Sequence, residues 1–143
     1  MLRRLIAPAA ALALGGLAVA GATPASAATR TFTVALHGSE EVPPADGGSG
    51  IARITVDSRT GRICYVLLVS NLGGPAIAAH IHQAPFGVAG PDVVPLMAPV
   101  DGRSAACTTT SRAEAKAILA HPSDFYVNVH TAQFPAGAAR GQL

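Results

Sequence analysis

The chain has 143 residues, 50% of them hydrophobic, and a formal net charge of +2. Arg3 and Arg4 account for that sign, because without them eight basic residues face eight acidic ones. A near-neutral chain with no basic stripe argues against non-specific nucleic-acid binding.

The first segment, "MLRRLIAPAAALALGGLAVAGATPASA" (residues 1–27), has a positive start, an apolar Ala/Leu/Gly run and an A-x-A end. That order describes a removable secretory signal. The apolar run is short and Gly-rich for a membrane span. Residues 28–143 are the length of one domain with one modest core. The expected location is secreted, in the cell envelope or beyond it.

In chain order, "TFTVALHG" alternates, with Phe32, Val34 and Leu36 on one side and Thr33, Ala35 and His37 on the other. "SEEVPPADGGSG" is a loop by its prolines and glycines. "IARITVD" alternates again, and "SRTG" turns the chain into "RICYVLLVSNL", which is apolar on both faces and reads as a central strand. "AAHIH" is the next strand, followed by the Gly/Pro-rich "QAPFGVAGPD". The prolines of "VVPLMAPVDG" put that strand at an edge, and "SAACTTT" is another short one. The period then changes. "SRAEAKAILAHP" carries a Ser111/Glu114 capping box and stops at Pro122, which predicts a helix over 112–120. "DFYVNVHTA" places Phe125, Val127 and Val129 on a core face and Tyr126, Asn128 and His130 on the other. "QFPAGAARGQL" gives a turn and a last short strand. About seven short strands at such spacing indicate an all-β antiparallel sandwich or barrel with one inserted helix.

Cys64 and Cys107, in a chain bound for an oxidising compartment, suggest one disulfide. A soft pair without CxxC spacing does not read as a zinc or redox site.

His80 and His82 share one strand face, about 6.5–7 Å apart, and His130 lies on the non-core face of its own strand. Side by side, these strands would gather three imidazoles on one outer surface. Imidazole suits copper and zinc, so His80, His82 and His130 form a candidate metal site, with His37 and Asp92 as extra candidates. The alternative is that the histidines are polar residues of a wet sheet face, bonded to Thr131, Gln133 or loop backbone. His121, at the predicted helix end, suits a cation at a C-terminus.

"TVALHGSEEVPP", "GRICYVLLVSNL", "AAHIHQAPFGVAGPDVVPL" and "FYVNVHTAQFPAGAARGQL" together resemble the CHRD domain family, named from chordin, an extracellular antagonist of bone morphogenetic proteins. The resemblance spans essentially all of residues 28–143. Ala136 and Ala139 depart from it, standing where the family more often has glycine and a larger apolar residue. It implies a Greek-key, immunoglobulin-like β-sandwich, an extracellular module of the kind found in growth-factor-binding animal proteins and in secreted bacterial ones. It also marks His80, His82, His130, Arg140 and Gly141. For Arg140 the expected role is a structural ion pair with Glu41 or Glu40, the alternative being a contact to an anion or a carboxylate.

Three functions follow as expectations. The first is a secreted binding module holding copper or zinc on the histidines. The second is an extracellular protein-interaction module in which they are structural, its partner unspecified. The third is a metalloenzyme. No G-x-S-x-G, H-E-x-x-H, phosphate loop or GxGxxG is present in the sequence, which weighs against an enzyme.

Overall fold

The computed structural model describes residues 28–143; the expected signal segment lies outside them. Eight strands form: β1 (Thr29–His37), β2 (Ser49–Asp57), β3 (Arg62–Ser70), β4 (Ala76–Gln83), β5 (Asp92–Leu96), β6 (Arg103–Thr109), β7 (Phe125–Thr131) and β8 (Ala139–Gln142). One helix, α1 (Arg112–Ala120), joins β6 to β7. The strands make one sheet of order β5-β4-β7-β8-β1-β2-β3-β6, with every neighbouring pair antiparallel. The sheet curls until its two edge strands, β5 and β6, come into contact. The all-β antiparallel class and the single helix are as expected. The pairings join all eight strands into one nearly barrel-shaped sheet.

Alternation decides which side chains fill the inside of the curl. Phe32 and Leu36 from β1, Ala52, Ile54 and Val56 from β2, and Ile63, Tyr65 and Leu67 from β3 are buried. Ala79 and Ile81 of β4, Val94 and Leu96 of β5, and Phe125, Val127 and Val129 of β7 complete that core. Helix α1 adds Ala115, Ile118 and Leu119 and packs against β2. It begins where the capping box puts it: the Glu114 backbone N–H donates to Ser111 Oγ at 3.0 Å. Strand β3, read as central, has an edge neighbour in β6 and leaves Leu68 of its outer face exposed. Cys64 and Cys107 face each other across β3 and β6 and form a disulfide.

Strand β7 departs most from expectation. All seven of its residues are buried, Tyr126, Asn128 and His130 included. The face expected to be wet is covered by connections. Gly90 and Val88 of the β4–β5 loop, Pro135 and Ala136 of the β7–β8 loop, and Glu41 after β1 all bond to side chains on it. The result is a second, polar interior on the far side of the sheet from the apolar core.

A three-histidine candidate metal centre

Strands β4 and β7 are direct neighbours. Their register sets Ala78 opposite His130, His80 opposite Asn128 and His82 opposite Tyr126. His130 therefore meets both histidines of β4. One nitrogen from each of His80, His82 and His130 falls within 4.8 Å of the others. His130 Nε2 is 3.2 Å from His80 Nδ1 and 3.4 Å from His82 Nε2. Two imidazole nitrogens on one ion, with bonds of about 2.0–2.1 Å near a tetrahedral angle, stand about 3.3–3.4 Å apart.

The outer nitrogens fix the tautomers. His82 Nδ1 lies 2.9 Å from the Gly90 carbonyl and His130 Nδ1 lies 3.1 Å from the Pro135 carbonyl. A carbonyl only accepts, so each Nδ1 carries the proton and each Nε2 presents a lone pair. These lone pairs face each other at 3.4 Å. His80 Nδ1–H can donate to His130 Nε2, which leaves His82 Nε2 without a donor. Two acceptors held this close could share a cation. Gly90 helps to set the arrangement, since a Cβ there would run into the Gln83 carbonyl, and only glycine lets the loop come that near.

Burial lowers the basicity of His82 and His130. For His82 the Gly90 bond opposes that effect, and the charges of His80 and Arg140 reinforce it. For His130 the charges of His80 and His82 reinforce it. Both rings are held in the neutral form that a metal requires.

The remaining candidates sort differently. His37 is exposed on β1, opposite Arg140 in register, and stays outside the cluster because β8 separates β1 from β7. Asp92 stands opposite His82 on β5 but is exposed and outside the three-nitrogen group. Its charge reaches His82 and His130 only as a minor influence. His121 caps α1, donating its backbone N–H to the Ala117 carbonyl.

Arg140 is 1% exposed, and its charge acts on Glu41, the partner expected of it. Its guanidinium lies 3.6 Å from the centre of the Tyr126 ring, and its Nη1 donates to the Val88 carbonyl at 3.1 Å. Glu41 is also buried, and its Oε2 accepts from Asn128 Nδ2 at 3.4 Å. Arg140 Nη2 and Glu41 Oε1 each lack a hydrogen-bond partner, so no bond joins them there. Burial pushes the Glu41 carboxyl up to about 8 against the opposing charge of Arg140. Tyr126 was not singled out from the sequence, yet it links the two halves of this layer. Its ring stacks on His82 at 5.0 Å, with Arg140 over it from β8 on the other side of β7.

These features define an all-β antiparallel domain with a buried polar face centred on three converging histidines. The CHRD domain model matches residues 32–143, and the chain belongs to that family. No curated protein and no solved structure matches it. Among the described residues, no helix is long and apolar enough to cross a membrane.

Proposed function

We propose that this CHRD domain is a secreted binding module that holds one copper or zinc ion on His80, His82 and His130. The observation that carries the reading is the facing pair of lone pairs on His82 and His130. Backbone carbonyls lock both rings with Nε2 inward, at a spacing that suits a shared ion. The family, the disulfide and the signal-like first segment support an extracellular setting. Three neutral nitrogens leave coordination positions free, so water or a partner's ligand can complete the ion's shell.

Isothermal titration of the purified protein with Cu(II) and Zn(II) tests this. The expected result is saturable one-to-one binding, lost in His80→Ala/His82→Ala while the melting transition remains cooperative. Binding no tighter than that of a lone surface histidine would overturn the proposal. The histidines would then be a structural hydrogen-bond cluster and the domain a module for an extracellular protein partner.

A further inference from the structure

We infer that the three-histidine site selects monovalent copper, holding Cu(I) more tightly than Cu(II) or Zn(II). This rests on the metal reading above and deepens it by assigning the ion's charge.

The argument is one of charge around the ion. His130 is buried and His80 and His82 are half-buried, so an ion held on them loses part of its water; that cost rises with the square of the charge, and nearby anions would offset it for a divalent ion. This site supplies none at close range. Its ligands are three neutral imidazoles. The groups that orient His82 and His130 are backbone carbonyls, where zinc-binding histidines often lean on carboxylates. Among the described residues, Asp92 is the carboxylate opposite His82; it is exposed to water, yet it acts on His82 more strongly than Arg140 does and reaches His130 as well. A positive charge lies inside the layer behind His82: Arg140 sits over the ring of Tyr126, which stacks on His82. Glu41, the buried acid of the same layer, bonds to Asn128 and to none of the histidines. A site with neutral ligands, neutral orienting groups and a buried cation behind one ligand penalises each added positive charge on the metal. Copper can shed that charge by reduction and zinc cannot. Imidazole serves copper in either state, so charge decides between them.

The test is competition on the purified protein. Bicinchoninate competes for Cu(I) under anaerobic reducing conditions, and nitrilotriacetate competes for Cu(II) and for Zn(II). The expected outcome is Cu(I) bound about a hundredfold more tightly than Cu(II). At 59 mV per tenfold for one electron, that raises the bound copper couple by about 120 mV over aqueous copper. Arg140→Met removes the buried cation and is expected to narrow the preference about tenfold. Asp92→Asn removes an exposed carboxylate, leaves folding intact and is expected to widen it. Cu(II) or Zn(II) held as tightly as Cu(I) would overturn this inference and leave the metal site standing. So would a preference unmoved in Asp92→Asn and in folded Arg140→Met. No binding of any of the three ions would overturn both.

Discussion

Glu41 is the residue whose burial costs the fold most visibly. Its carboxyl has one long hydrogen bond, from Asn128, and one oxygen without a partner. Gly137 packs so closely on it that a Cβ there would meet the carboxylate. The folded protein holds its proton up to about pH 8, whereas an unfolded chain releases it near 4.5. The folded state therefore binds more protons between these values. Glu41's contribution is fully present below about pH 4.5 and is lost as pH rises towards 8. His82 and His130 act with the opposite sign. Burial holds their basicity below the ordinary value of 6.5, so their contribution is present above 6.5 and is lost as pH falls. Glu41→Gln keeps the hydrogen-bonding shape and removes the titration. Urea denaturation at pH 5 and pH 8 should show the variant gaining on the wild type as pH rises. A gap that stays constant with pH would mean that Glu41 ionises freely in the folded protein.

At the scale of elements, α1 and β7 contrast. The helix Arg112–Ala120 was readable residue for residue, because its start and stop are local chemistry: a serine hydroxyl on an orphan N–H, and a proline after the end. Ser111→Ala should cost about 1 kcal/mol of stability, measurable as a lower urea midpoint with unchanged slope. Metal affinity should be unaffected, because the strand α1 chiefly packs against is β2, away from the histidines of β4 and β7. Strand β7 was readable in its alternation and not in its burial. Tyr126, Asn128 and His130 do share the face opposite Phe125, Val127 and Val129, as period-two spacing requires. Nothing in "DFYVNVHTA" reveals that three connections fold over that face. Polar side chains look the same in sequence whether they meet water or loop carbonyls.

For the whole molecule, the curl of one sheet separates two tasks. The β2–β3–β6 side carries the disulfide, and the β5–β4–β7–β8 side carries the histidines and Arg140. The crosslink spans a sequence separation of 43, which chain-entropy reasoning converts to about 4 kcal/mol. It ties edge strand β6 to β3, its one neighbour in the sheet. Cys64→Ala/Cys107→Ala is expected to lose about that much stability in chemical denaturation. Copper affinity of the fraction still folded should be unchanged, because β2, β1 and β8 stand between β3 and β7 one way round the curl and β5 stands between β6 and β4 the other way. A loss of affinity in a folded double variant would show that the two sides are coupled.

The sequence by itself determined the strand alternation, the helix and its cap, the pairing of the two cysteines and the shared face of His80 and His82. Each is set by local spacing, by local hydrogen bonding or by there being only one partner available. Tertiary structure alone decided which strands lie side by side, and so placed His130 with His80 and His82 while leaving His37 behind β8. It also decided that loops cover the histidine face, which turned a wet surface into a polar interior and set Arg140 over the ring of Tyr126. Those outcomes depend on register and on loop paths between residues far apart in the chain, which short-range periodicity does not encode.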